Sequence, residues 1–152
     1  MTTHRNAQAL SLLEDSATTG RSYVQDETGT REKLLSLTKS LSAAVELPSE
    51  AIQRMGWAEP ARSAEVKIAG DLKLFDKLAE KEDVGLTAAE LATESKADPI
   101  LTSCIMRHLV AMNVVGEKGA DHYVATPFST ALTEPKYRDG ITYAYIPYLI
   151  SL

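Results

Sequence analysis

The sequence has few of the features that define several protein classes. Cys104 is its single cysteine in 152 residues, which excludes an internal disulfide and a thiolate metal site. The longest run without charge, residues 140–152, is 13 residues long, whereas a transmembrane helix needs about 20. No continuous apolar signal segment follows Met1. We therefore expect a cytoplasmic protein that does not span or bind a membrane.

Positive charge is also in deficit. The chain has 16 Lys and Arg residues against 21 Asp and Glu residues, a formal net charge of -5. Nucleic acids and anionic membranes repel such a chain unless its basic residues cluster. A hydrophobic fraction of 44% and a charged fraction of 24% are typical of a globular protein that buries a core.

Candidate catalytic and metal-binding side chains are isolated from one another. The three histidines are His4, His108 and His122, and spacing assigns no carboxylate to any of them. We predict no metal site, and we interpret His108 as a surface or interface residue. Ser103 and Ser129 have no visible partner that would make either one a nucleophile. The sequence thus predicts no catalytic residue.

Composition and periodicity divide the chain into four segments. The first is rich in Ser, Thr, Gln and Gly and is predicted to be flexible. The second carries an apolar stripe at helical spacing, Leu34, Leu37 and Leu41. The predicted boundaries are a flexible arm over 1–28, a helical segment over 29–56, a winged-helix domain over 57–134 and an apolar C-terminal helix over 135–152.

Three helices are predicted within the third segment. Pro60 begins the first, which runs to Glu80. Thr87 and Glu90 have the spacing of a capping box and begin the second. Asp98, as an N-cap followed by a first-turn proline, begins the third. The apolar face of the third helix is predicted from Ile100, Leu101, Ile105, Leu109 and Met112.

A β-hairpin follows the third helix. Val114 and Val115 lead into a turn over residues 116–119, and residues 122–125 form the returning strand. Three helices followed by a two-stranded ribbon are the elements of a winged helix. The predicted fold class is therefore mainly α, a winged helix-turn-helix with a small two-stranded β-ribbon and flanking helices.

The charges of this region disfavour the usual DNA-binding role of a winged helix. Between Leu86 and Thr126 there are only three cations, Lys96, Arg107 and Lys118, against five acidic residues. A surface that follows phosphates needs several uncompensated cations. We expect no nucleic-acid partner.

The order of these motifs resembles one family, the N-terminal winged-helix dimerisation domain of the plant and fungal S-adenosylmethionine-dependent O-methyltransferases. The resemblance extends from about Trp57 to Ile146. The motifs that carry it are Thr87-Ala88-Ala89-Glu90-Leu91-Ala92, Asp98-Pro99, Arg107-His108-Leu109, Tyr123, Thr126-Pro127-Phe128-Ser129 and Tyr137-Arg138-Asp139-Gly140-Ile141. The last two motifs favour the fungal enzymes.

The resemblance implies a protein of secondary-metabolite biosynthesis whose winged helix joins two subunits. In that family, the cofactor and the catalytic histidine belong to a C-terminal Rossmann-like domain. A cofactor site of that kind needs a glycine-rich turn, and none of the eight glycines has the Gly-x-Gly spacing. Gly116 and Gly119 are interpreted as turn residues. We expect no cofactor in this chain, although full-length members bind S-adenosylmethionine.

Two further functions stay open beside an inactive dimerisation protein, which would be a truncated product, a pseudoenzyme or half of a split enzyme. One is a biosynthetic enzyme that acts with a methyltransferase partner subunit or as a pericyclase-like pseudo-methyltransferase. The other is a DNA-binding regulator. Whether the chain is an enzyme stays undecided at this level.

The predicted partner is a second copy of the chain or a methyltransferase subunit. The last segment is strongly apolar, and Tyr145 and Tyr148 share a helical face there. Such a segment packs either on its own domain or against a second copy, because an exposed apolar surface of that size would be an aggregation liability. The residues predicted for the dimer interface are Leu34, Leu37, Leu41, Ile68, Leu72, Phe75, Tyr145 and Tyr148.

Overall fold

A computed structural model describes the backbone of residues 2–81 and 83–150, and the side chains of residues 6–81 and 83–143. Mainly helical structure with a small antiparallel sheet confirms the predicted fold class. The helices are α1 (Thr2–Val24), α2 (Thr30–Val45), α3 (Pro48–Gln53), a π-helical turn (Arg54–Ala58), α4 (Glu59–Asp71), α5 (Leu74–Lys81), α6 (Ala88–Ser95), α7 (Pro99–Ala111), α8 (Pro127–Ala131) and α9 (Pro135–Ile150). The strands are β1 (Leu86–Thr87), β2 (Gly116–Gly119) and β3 (His122–Val124). Across the described part of the chain, none of these helices combines the length and apolar character needed to cross a bilayer.

The chain consists of two compact units, residues 1–54 and residues 55–152. In the first unit, α1 packs on α2. The segment predicted as a flexible arm is therefore helical from Thr2 to Val24. Its most buried positions recur at helical spacing, but Ser16 and the buried Thr19 occupy two of them. Because these positions are polar, a search for an apolar stripe does not detect the helix.

The predicted stripe on α2 is present as a half-buried face. Leu34, Leu37 and Leu41 share it. An ion pair connects the end of α2 to the π-helical turn. Arg54 Nε lies 2.7 Å from Glu46 Oε1, and Arg54 Nη2 lies 3.0 Å from Glu46 Oε2. This hydrogen bond from Arg54 holds the pKa of Glu46 below its ordinary value.

The hydrophobic core belongs to the second unit. Its fully buried members come from α4, α5, α6, α7, β3 and the segment between α7 and β2, and α8 packs against α5. Core side chains with no exposed surface include Leu74, Leu78, Leu91, Met106, Leu109 and Tyr123.

The prediction of one continuous helix from Pro60 to Glu80 is wrong, because the helix is interrupted between α4 and α5. Lys73 adopts a φ of 56° at this point, and its amide donates to the carbonyl of Gly70 at 3.0 Å. A left-handed residue ends a helix in the same way as a C-terminal glycine does. Lys73 is neither Gly nor Asn, so the sequence does not mark the break. The break brings Leu74 and Phe75 into the core.

The predicted helix starts at Thr87 and Asp98 are confirmed. Thr87 Oγ1 accepts from the Glu90 amide at 3.3 Å, and Glu90 Oε2 accepts from the Thr87 amide at 2.8 Å. Asp98 Oδ1 accepts from the amide of Leu101 at 2.9 Å. These bonds pair amides that a helix leaves without an internal partner.

The sheet has three strands rather than the predicted two, in the order β1-β3-β2, all antiparallel. β1 escapes prediction because it has only two residues, and one of them is also the N-cap of α6. Gly116 and Gly119 are strand residues rather than turn residues. The turn instead contains Asp121, whose φ is 55°, a conformation that a short polar side chain tolerates.

Candidate functional site

The predicted stripe of Ile68, Leu72 and Phe75 does not form one surface. Phe75 is in the core with 2% of its surface exposed, and Leu72 is half-buried against the same core. Ile68 alone remains outside, with 40% exposed. The break at Lys73 separates these residues because it gives α4 and α5 independent orientations.

The other predicted interface residues lie elsewhere in the chain. Those of α2 belong to the first unit, where they form a half-buried face. Tyr145 and Tyr148 lie in α9 of the second unit, and their side chains are outside the described residues. The eight predicted residues are thus distributed over both units and do not form a single described cluster.

A different apolar surface is exposed on α7. Ile100 is 75% exposed and Leu101 is 51% exposed. Cys104, one turn further along the helix, is exposed too. The sequence assigns Ile100 and Leu101 to the buried face together with Ile105 and Leu109, but only the latter two are buried. The sequence does carry a signal for this surface, because α7 has apolar residues around its whole circumference. A helix of that kind is normally buried on all sides.

Three kinds of contact hold α7 in place. Its inner face contributes Thr102, Ile105, Met106 and Leu109, all buried. The Asp98 cap pairs its first turn. Near its other end, Nδ1 of His108 contacts Oε2 of Glu65 on α4, and this pair is partly buried. These contacts therefore fix the position of α7 and of its exposed side.

A further hydrogen bond joins α7 to the hairpin. Ser103 Oγ donates to Asp121 Oδ1 at 3.0 Å, and the buried hydroxyl of Tyr123 donates to the same oxygen at 3.0 Å. Burial, reinforced by the Asp121 carboxylate, raises the pKa of Tyr123 to about 12. Tyr123 therefore keeps its proton at neutral pH and serves as a donor.

The described side chains do not assemble a recognisable catalytic group. Ser103 pairs with a carboxylate and no histidine contacts it. Ser129 is fully buried, and its hydroxyl accepts from the Thr126 amide at 2.8 Å in the capping box of α8. His122 Nε2 lies 2.9 Å from the carbonyl of Val84. Among the residues that the structure describes, no three His, Cys, Asp or Glu side chains are placed to hold a metal ion.

Residues 60–135 match the family model of the O-methyltransferase dimerisation domain. This match spans α4 to α8 and includes the whole of α7. The chain belongs to that family.

The similar curated proteins are fungal. An O-methyltransferase, mpaG, of Penicillium brevicompactum is 35% identical over 139 residues, which are 91% of this chain and 35% of that protein. The O-methyltransferase mfmE of Annulohypoxylon moriforme is 30% identical over 142 residues, 93% of this chain and 35% of that protein. The chain thus spans about a third of the length of these relatives.

Solved structures share the fold. The complex of LepI with SAM superposes with a TM-score of 0.76 at 20% identity, covering 93% of this chain and 35% of that one. OxaC in complex with SAH and oxaline gives a TM-score of 0.72 at 15% identity, covering 88% of this chain and 34% of that one. The arrangement of helices described above is therefore one that larger proteins contain as a part.

The described residues do not fit S-adenosylmethionine, the cofactor of the family. Its Rossmann-like site needs a glycine-rich turn between a parallel strand and a helix. The strands described here are antiparallel and two to four residues long. Gly116 and Gly119 lie within β2, where an added Cβ at Gly116 would be 2.8 Å from Val124. Gly116 thus serves the packing of the sheet.

Proposed function

We propose that this chain is a winged-helix module that joins two copies of itself. The family match over residues 60–135 carries this proposal. The order α6, α7 and hairpin supports the winged-helix assignment, with β1 as the third strand of the sheet. The exposed apolar residues of α7 supply surface that a monomer leaves in contact with water.

The proposed setting is methyl transfer in fungal secondary metabolism. Its support is the similarity to proteins named O-methyltransferases in Penicillium and Annulohypoxylon. Because the described residues do not fit the cofactor, these 152 residues would position subunits while a separate catalytic unit transfers the methyl group. That unit would be further polypeptide or another subunit. The absence of disulfide-forming cysteine pairs supports a cytoplasmic location.

Sedimentation velocity from about 0.1 to 100 μM tests self-association, a range that covers ordinary dimer affinities. The expected result is a shift of the main species from about 16.5 kDa to twice that mass. A single species of monomer mass at every concentration would refute the proposal.

Calorimetry with S-adenosylmethionine tests the division of labour. We expect no heat of binding from the chain alone. Saturable binding with a stoichiometry near one would show that these residues do form a cofactor site. Titration with duplex DNA at low salt serves as a further control, since the acidic chain is expected to give no salt-dependent shift.

A further inference from the structure

Within residues 60–135, which match the family, the exposed side of α7 is the apolar surface that would lose the most contact with water on binding a partner. We define the α7 outer face as Ile100, Leu101, Cys104, Arg107 and Ala111, all exposed. The first two are adjacent, and the others follow at intervals of three or four positions. Among the described residues of 60–135, the other exposed large hydrophobic side chains are Ile68 on α4, Val84 in the turn before β1 and Phe128 on α8.

The charge of this face fits association. Helix α7 has no acidic residue, and Arg107 is the one Lys or Arg in it. Interface centres are depleted in charged residues and enriched in apolar ones. On an acidic chain, a helix face without carboxylates avoids most of the repulsion that two copies would otherwise experience.

We propose that the α7 outer face is the contact at the two-fold axis of a homodimer, with the two α7 helices antiparallel. This inference rests on the proposed dimerisation and adds the surface that performs it. Two-fold contacts bring one patch against its own copy, so the residue on the axis meets itself. Cys104 is at the middle of the face, where a small uncharged side chain can meet its copy without repulsion.

Antiparallel pairing about Cys104 also keeps like charges apart. Arg107 of one copy then lies near Ile100 of the other, on the same side of the contact, and the two Arg107 side chains are about 9 Å apart along the helix axes. The single cation of the face therefore does not meet its own copy, and the two helix dipoles are opposed, which is their favourable arrangement.

The support beneath the face makes it ready for binding. The contact of His108 with Glu65 and the hydrogen bond from Ser103 to Asp121 attach α7 to α4 and to the hairpin. Binding therefore requires little ordering of the backbone, which lowers the entropic cost of association.

The experiment compares two equally exposed positions in the full chain. Ile100 is 75% exposed and Val84 is 73% exposed, so neither Ile100→Glu nor Val84→Glu disturbs the core. Because a two-fold contact contains the substitution twice, Ile100→Glu is expected to raise the dimer dissociation constant at least about 100-fold. Val84→Glu is expected to leave it within about 3-fold of the original. Sedimentation velocity measures both.

Thiol crosslinking gives an independent measurement. A short bismaleimide is expected to join two copies through Cys104, the single thiol of the chain, and to give a covalent dimer on a denaturing gel. The matched control carries Cys104→Ala and Val84→Cys, and it is expected to stay monomeric on that gel. Circular dichroism verifies that each variant is folded.

An unchanged dissociation constant in Ile100→Glu, or the lack of a Cys104-dependent covalent dimer, would overturn this inference. If the unmodified chain still dimerised in that case, the proposed function would stand and another surface would form the contact. If the unmodified chain were monomeric throughout, both proposals would fall together.

Discussion

The hydroxyl of Tyr123 donates a hydrogen bond of 3.0 Å to the carboxylate of Asp121, two residues earlier in the hairpin. The same oxygen, Oδ1, accepts from Ser103 on α7 at 3.0 Å. The backbone carbonyl of Asp121 accepts from the amide of Ala88 at 2.9 Å. One turn residue thus connects the hairpin to α7 and to the start of α6.

Removing the Asp121 carboxylate is expected to destabilise the second unit. In Asp121→Ala, the buried Tyr123 hydroxyl loses its acceptor, and alanine tolerates the φ of 55° poorly. We expect a loss of about 2 to 3 kcal/mol in the free energy of unfolding. Asp121→Asn is the matched control, because it retains an acceptor and tolerates the conformation; it is expected to lose about half as much. Urea unfolding followed by circular dichroism measures both, and a loss under about 0.5 kcal/mol in Asp121→Ala would contradict this role.

Stability is expected to fall at alkaline pH because of Tyr123. Burial raises its pKa to about 12 from the ordinary value of 10.0, so the folded chain retains a proton that the unfolded chain releases above about pH 10. The stabilisation is complete below that pH and is lost as the pH rises towards 12. Unfolding free energies between pH 9 and 12 test this, with Tyr123→Phe as the control whose slope is expected to be shallower. Parallel slopes would show that Tyr123 has no part in the alkaline transition.

Gly85 is expected to be intolerant of any side chain. Its φ is 79°, and an added Cβ would lie 2.3 Å from the Tyr123 carbonyl oxygen and 2.7 Å from Val124. Gly85→Ala is expected to cost more than about 2 kcal/mol, since backbone and sheet must both move. Gly70→Ala in α4 is the matched control, because nothing lies within 4 Å of its added Cβ. That change is expected to stabilise the helix by up to about 1 kcal/mol. Equal melting temperatures of the two variants would refute the explanation.

The α6 cap is expected to depend on the hydroxyl of Thr87 rather than on its methyl group. Thr87→Ala removes the acceptor for the Glu90 amide and the donor to Glu90 Oε2, with an expected loss of about 1 kcal/mol. Thr87→Ser retains both bonds and is expected to cost much less. The comparison uses thermal unfolding by circular dichroism. Identical losses in the two variants would indicate that strand β1, rather than the cap, needs threonine.

Local hydrogen-bonding signals made the helix starts predictable. Thr87 with Glu90, and Asp98 before a proline, act within four residues of sequence, so their meaning does not depend on the rest of the fold. The break at Lys73 carries no such signal, because lysine is not a residue type that favours the left-handed conformation found there. The apolar periodicity continues through this position, so the sequence predicts one helix where the structure has two.

The exposure of individual apolar residues could not be predicted for a related reason. Apolar spacing identifies the apolar face of a helix, but it does not distinguish residues that are buried in the core from residues that stay exposed on the surface. Phe75 and Ile100 are both apolar residues at helical positions, yet 2% of one and 75% of the other is exposed. The direction of each helix face is decided by tertiary contacts, here the turn at Lys73 and the attachments of α7.

The left-handed turn at Lys73 has a consequence for how this domain can vary between relatives. It uncouples the rotational phase of α4 from that of α5, so a residue gained or lost in α4 rotates that helix alone. Leu74 and Phe75 would keep their places in the core, whereas Val66 and Ala69, the buried residues of α4, would turn away from it. The core therefore constrains the length of α4 in relatives, although α5 is independent of that length.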